Sequence, residues 1–538
     1  MKAVMSGAVL GAAVAALAVA APASAQPTGA VPAISAAGAA APSTPATLAA
    51  LEERIKRLED ELLALRAASA RAPAVTPPAT PPPRTAPATP AIDEQTPFAF
   101  GDFTWLNGSP RNRKVAFDAP FFTPEVRFDT HYMHSGHNPI DHSLGGATES
   151  FRSGEVQVEQ ASVGGDFHMD NVRGRLMTMA GLFASTNPRN DASSAVGQWD
   201  VRAAYRYVSE AYGGYHLDVQ HGINIDAGIF VSYIGLFSYY NFDNWAYQPS
   251  YVSSNTPWFF NGVRIQWFPT NKLKIEPWFI NGWQTYNRMN SRPGFGGQVQ
   301  WMPNERLKLV FNGYANGTDT LGVPNRRRVH SDNSIEVRYF NRPAGTWLSK
   351  LALAFTADVG CESGGGVRCT GGNANTPSQY FAGWMAYNRA WFHHDRYAVT
   401  LGGGVMTNQG RYLTLLPPIN GADAVSGSPY FPTVPGSRVH QWDGTVTFNY
   451  MPRDFLTFWG EAGYRHSDVP YFTGHGGLTP PAGNTGTPQY FVCRSGASAG
   501  TADLTAAEAA CGGGPSPLWH PDLSKQQTTI SMGIMVKF

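Results

Sequence analysis

From about residue 98 to the C-terminus, apolar and polar side chains change places at every second position. That is the period of a β-strand with one apolar and one polar face. The end of the chain shows it most clearly. Ile530, Met532, Ile534, Val536 and Phe538 share one face, and Thr529, Ser531, Gly533, Met535 and Lys537 share the other. In Leu273-Lys274-Ile275-Glu276 and Leu307-Lys308-Leu309 the charges lie opposite aliphatic residues. In Ile335-Glu336-Val337-Arg338-Tyr339 both signs fall on the polar side, and from Trp442 to Tyr450 the polar residues again share a face.

Short and long connections punctuate these runs in strict alternation. Three short ones repeat a pattern of aromatic, apolar residue, Pro and two polar residues: Trp267 to Asn271, Trp301 to Glu305 and Tyr450 to Asp454. Proline fixes φ for a tight turn and is expected to end ladder pairing there. Further short turns are expected at Met169-Asp170-Asn171, Val219 to Gly222, Arg342 to Gly345 and His393-His394-Asp395. Long polar segments lie at about 134–154, 183–202, 232–256, 284–293, 315–328, 359–379, 408–437 and 467–523. Seven short turns and eight long loops imply about sixteen strands (14–18). Outer-membrane barrels show this asymmetry, with short periplasmic turns and longer extracellular loops.

The front of the chain supports export. Lys2, an Ala/Val/Leu-rich run and the small residues Ala23-Ser24-Ala25 read as a signal peptide over 1–25, with the mature chain beginning near Gln26. No later stretch reaches about eighteen continuous apolar residues, so any crossing must be by strands. Residues 26–46 are Ala/Pro-rich and expected to be unstructured. Over 47–69 the period changes: Leu48, Leu51, Ile55, Leu58, Leu62 and Leu65 are spaced three and four apart, a heptad stripe with charged residues outside it. It reads as a short periplasmic coiled-coil helix, or else as a solvated amphipathic helix packed on its own chain. The Pro-rich stretch 70–97 favours a semi-rigid polyproline spacer. The expected fold is therefore an all-β transmembrane antiparallel barrel over 98–538, preceded by the coil. The terminal Phe538 suits reading by the barrel-assembly machinery. A mean hydropathy of −0.24 agrees with a wall that meets lipid on only one face.

Ala227-Gly228-Ile229-Phe230, the Asn/Ser-bearing stretch from Tyr239 to Ser254, Phe260-Asn261-Gly262-Val263 and Asn281-Gly282-Trp283 resemble the OmpL-like porin family (β-barrel porin-2 class). That resemblance implies an outer-membrane channel for passive diffusion of small hydrophilic solutes, with no catalytic residue and no cofactor.

Candidate pore-lining or mouth charges are Arg326, Arg327, Arg328, Lys274, Lys308 and Arg338, countered by Glu276, Glu336, Asp443 and Glu461. Two of the three consecutive arginines are expected to face the lumen, or else all three meet lipopolysaccharide phosphates at the rim. With a net charge of +1, ion selectivity stays open. Loop 232–256, with Tyr239, Tyr240, Trp245 and Tyr247, either folds inward to narrow the channel or packs on itself at the rim. Cys361 with Cys369 and Cys493 with Cys511 lie close in sequence within exported loops outside the expected strands, so two local disulfides are expected. His131, His134, His137 and His142 with Asp141 could in principle hold a transition metal; a polar loop with no metal is the plainer reading.

Two rivals remain. A tether would use the barrel as anchor and the coil to grip the envelope, with peptidoglycan as a candidate partner. An outer-membrane enzyme would need a spatial Ser/His or Asp/His set, and no Gly-x-Ser-x-Gly occurs. Lipid, lipopolysaccharide and further copies of the chain in a homotrimer are the expected partners, and no nucleic acid. Substituting both Ile55 and Leu58 by Asp should loosen the oligomer yet leave each barrel folded, as measured by native mass in mild detergent; an unchanged oligomer would remove the coil's role.

Overall fold

The computed structural model describes part of 53–63, and then residues 95–100, 106, 115, 117–145, 150–188, 201–238, 240–254, 256–288, 292–317, 325–342, 347–410, 412, 438–477 and 523–538. The chain divides into two compact units, Met1–Thr89 and Pro90–Phe538. In the first, residues 53, 54, 56–61 and 63 are helical. Arg57 pairs with Glu53 at 3.3 Å, and Leu58 is exposed. Ile55 and Leu62 lie outside the described residues.

The second unit is a barrel. Its strands are β1 (Phe122–Ser135), β2 (Glu155–Met169), β3 (Val172–Thr178), β4 (Val208–Leu217), β5 (Ile223–Val231), β6 (Phe259–Thr270), β7 (Leu273–Ile280), β8 (Gly294–Asn304) and β9 (Leu307–Asn316). They continue with β10 (Arg327–Asn341), β11 (Leu348–Ser363), β12 (Tyr380–Phe392), β13 (Tyr397–Gln409), β14 (Arg438–Arg453), β15 (Leu456–Ser467), the two-residue β16 (Phe472–Thr473) and β17 (Leu523–Ser524), and β18 (Gln526–Lys537). Sixteen of them close into one antiparallel barrel, with β18 sealing between β15 and β1, while β16 and β17 pair only with each other. The seven short turns and eight long loops separate these strands in the expected order, with some ends shifted by a few residues.

Closure matters because hydrocarbon offers backbone groups no partner. At the seam Val126 and Phe538 exchange N–H···O bonds of 3.1 and 2.9 Å. The pleat then sets the faces. Phe128, Tyr132, Ile530, Met532 and Ile534 point out, and Arg127, Asp129, Met535 and Ser531 point in and are buried.

The three Pro repeats depart from expectation in one respect. Pairing does not stop at the proline. Each ladder skips two residues, between Trp267 and Thr270, Trp301 and Asn304, and Tyr450 and Arg453, then makes one last pair. A β-bulge absorbs the residue that lacks an N–H. The turns are the next two residues, such as Asn271-Lys272.

Met532, half exposed on the outer face of β18, tests the lipid assignment. Met532→Arg should cost about 2–4 kcal/mol in vesicle unfolding titrations if it lies near the bilayer midplane; no loss would put that face outside lipid.

Candidate functional site

The long loop between β5 and β6 runs into the barrel. Its side chains and backbone meet strands on nearly every side of the lumen. Asp243 pairs with Arg127 at 2.8 Å and with Lys537 at 3.5 Å, across the closing seam. Asn241 donates to Asp129 at 3.0 Å. The backbone N–H groups of Tyr247 and Gln248 donate to the two oxygens of Glu461 at 2.7 and 2.8 Å. Asp443 accepts from the Ser250 hydroxyl at 2.7 Å and from the Tyr251 N–H at 3.0 Å. Arg389 donates to Trp245 O and Arg465 to Pro249 O, both at 3.0 Å. On the opposite wall Tyr233 donates to Gly313 O and accepts from Gln298, both at 2.9 Å. Of the two arrangements open to this loop, the inward one is observed.

Tight packing accompanies the hydrogen bonds. Tyr247 stacks on Trp459 with ring centroids 3.6 Å apart, and its hydroxyl lies 2.9 Å from His131. Trp245 meets Trp391 edge to face at 5.7 Å. Arg127 lies 4.0 Å over the Tyr240 ring, and the Tyr240 hydroxyl donates to Glu210 at 2.8 Å. Tyr239 lies outside the described residues. Burial holds the loop phenols of Tyr233 and Tyr251 well above the usual tyrosine range, so both stay neutral. Inward glycines make the space. A Cβ on Gly404 would run into the Ser250 hydroxyl, and one on Gly296 into the Tyr233 hydroxyl.

Nine of the ten charges expected at the pore or its mouth face inward and are buried or largely so. Arg327 is the exception. It is exposed on the outer face of β10 beside Val329, because successive strand residues alternate and Arg326 and Arg328 take the inner side. Most of the others are engaged with a counter-charge or with backbone groups. Arg328 lies 3.0 Å from Glu362 and stacks over Trp283 and Tyr412. Arg326 lies 3.8 Å from the same Glu362. Lys308 and Glu336 pair at 3.1 Å and together hold the backbone of Leu106: its N–H donates to Glu336 at 2.7 Å and its carbonyl accepts from Lys308. Lys274 pairs with Glu276 at 2.5 Å, and Arg338 with Glu305 of the β8–β9 turn at 3.3 Å. Asp443 and Glu461 cap the loop. Burying such charges without partners would be costly, and each is met by a counter-charge or by N–H donors.

Cys361 and Cys369 form the expected disulfide, with Cα atoms 5.0 Å apart. Cys361, expected in a loop, lies instead on β11, which runs further than the alternation suggested. Cys493 and Cys511 lie outside the described residues. The histidines do not converge. His131 faces the lumen, His134 sits on the opposite face, His137 contacts Gln526 O at 2.7 Å and His142 contacts Ser153 O at 2.9 Å. Among the described residues no group of three or more His, Cys, Asp or Glu is arranged to hold a metal. Sequence reasoning met Asn241, Asp243 and Ser250 only as carriers of the family resemblance, not as anchors of the loop, and passed over Arg465.

Over residues 127–491, more than half of the chain, the sequence matches the family described as beta-barrel porin-2, OmpL-like. No curated protein matches it. Similar solved structures include outer-membrane expressed OmpT of Vibrio cholerae, 7% identical with a TM-score of 0.41, covering 79% of this chain and 100% of that one. The anion-selective porin from Comamonas acidovorans is 10% identical with a TM-score of 0.41, covering 78% and 99%. The outer membrane channel DcaP of Acinetobacter baumannii is 11% identical with a TM-score of 0.40, covering 79% and 100%.

Glu461→Gln weakens two charge-assisted bonds to the loop backbone, each worth about 1.5–3 kcal/mol. A cysteine placed at Gln248 should then be labelled faster than in the parent barrel; equal rates would show that Glu461 does not hold the loop.

Proposed function

The chain belongs to the OmpL-like β-barrel porin-2 family, it is an outer-membrane porin, and we propose that the loop from Ser232 to Trp258 is the constriction that sets what passes through it. The reading is carried by one observation: the loop spans the lumen of a closed sixteen-strand barrel and is bonded to β1, β8, β9, β12, β14, β15 and β18. Sixteen strands alone leave an aqueous channel wide enough for unselective flow. A loop fixed across it reduces that channel to narrow passages between loop and wall, where solutes meet side chains. In this reading Tyr240, Trp245 and Tyr247 hold the loop in place, and selectivity falls to the groups that keep contact with water.

The short turns lie on the periplasmic side and the long loops outside, as the class arranges them. In this reading the coil expected over 47–69 is periplasmic, and the heptad spacing of its sequence supports a homotrimer. Lipid and lipopolysaccharide are the partners of the outer wall, where Arg327 is free to meet a phosphate. The reading assigns no catalytic role to any residue.

Purified protein in planar bilayers should give small, stable single-channel steps, and deletion of residues 236–252 should enlarge them several-fold. A barrel that inserts and stays silent would end the channel reading. Steps unchanged by the deletion would end the role of the loop.

A further inference from the structure

Where the lumen opens at the short-turn end, its charges are not equally covered. Among the ion-paired arginines, lysines and carboxylates that β1 to β10 carry there, Asp166 keeps 50% of its side chain exposed and Arg173 keeps 28%. Their neighbours are more enclosed: Glu125 at 16%, Lys274 at 15%, Arg175 and Arg264 at 11%, and Asp226 at 0%. Asp166 is the cross-strand partner of Arg175, and Arg173 lies two residues before Arg175 on the same face. At about 3.4 Å per residue the exposed acid and the exposed base are thus roughly 7 Å apart along the wall.

They do not neutralise each other, because each is held by another group. Arg175 binds Asp166 at 2.9 Å, and also Glu125 at 2.9 Å and Glu210 at 3.0 Å. Arg173 is drawn the other way, to Asp226 at 3.4 Å, which also holds Arg264 at 3.0 Å. Gly214 makes this possible: a Cβ there would strike the Asp226 carboxylate. The result is two adjoining patches of opposite sign. Arg173, Arg264 and Lys274 outnumber Asp226 and Glu276 by one positive charge. Glu125, Asp166, Glu210 and Asp243 outnumber Arg127, Arg175 and Lys537 by one negative charge. His168, opposite Arg173, contacts Thr123, and His216 contacts Asn224 and Asp218.

We propose that Arg173 and Asp166 form a docking place for small zwitterionic solutes at the periplasmic mouth, with the solute carboxylate on Arg173 and its ammonium on Asp166. A guanidinium receives a carboxylate through paired N–H donors, and a carboxylate accepts from an ammonium. A simple anion drawn to Arg173 meets the negative patch beside it, and a simple cation meets the reverse. Only a molecule carrying both charges a few ångströms apart is favoured by both patches. The proposal rests on the porin reading and concerns its selectivity.

The test uses the full chain in liposomes and compares swelling rates in serine, a zwitterion, with those in erythritol, a neutral solute of similar size. The parent protein should admit serine faster. R173Q and D166N should each lower the serine-to-erythritol ratio several-fold, and R173K should retain part of it. In salt gradients R173Q should move the reversal potential toward cation selectivity and D166N toward anion selectivity. A ratio near one in the parent, or one untouched by both variants, overturns the docking place while the channel stands. No swelling in either solute overturns the channel reading itself. If R173Q does not assemble, D166N and R173K decide the matter.

Discussion

The structure depends on the seam between β1 and β18. In hydrocarbon every strand N–H and C=O needs a partner, so the last strand must find the first in one register. That register does more than close the wall. It places Arg127 beside Lys537, both inward, and Phe128 beside Val536, both outward. A slip of β18 by one residue would turn Lys537 toward lipid and Val536, Ile534 and Met532 into the lumen. Asp243 of the inward loop reaches both cations, so the loop is tied to the very joint that makes the barrel.

The loop inverts the usual role of a polar lumen. A sixteen-strand wall lined with carboxylates suggests charges bathed in water. Here Asp129, Asp443 and Glu461 receive donors from the loop and are nearly or wholly buried. A carboxylate suits this task because it offers several acceptor positions and none of the competition a donor would bring. Leaving any of these groups unpaired would be strongly destabilising, which favours one seated position of the loop over a set of loose ones. Glycines at positions such as 296 and 404 supply the depth. The apolar contacts of Tyr247 on Trp459 and of Trp245 on Trp391 then fill the remaining space.

Once the loop is seated, charge count no longer describes the passage. Asp226 and Glu276 are inward carboxylates, yet they lie behind Arg173, Arg264 and Lys274, which stand nearer to water. On β2 the order is reversed, with Asp166 in front of Arg175. A net charge of +1 over the chain is silent on such layering. The field a solute meets is set by which partner of each pair is exposed, since exposed charges act through water and buried ones largely through their partners.

The sequence by itself determined the wall. Alternation of period two, as in Ile530 to Phe538, fixes which side chains meet lipid, and the spacing of turns such as Asn271-Lys272 fixes the number of strands, because both are local properties of an extended chain. The nearness of Cys361 and Cys369 made their disulfide legible for the same reason. The Pro repeats were visible as punctuation, although the bulge that carries pairing past the proline was not, since it depends on the partner strand. Only the tertiary structure decided the path of the loop and the use of the lumen charges. Glu461 meets Tyr247 across 214 positions of sequence, and Arg127 meets Asp243 across 116. Which carboxylate becomes an anchor and which stays in water follows from what the folded loop covers, and no periodicity along the chain records that.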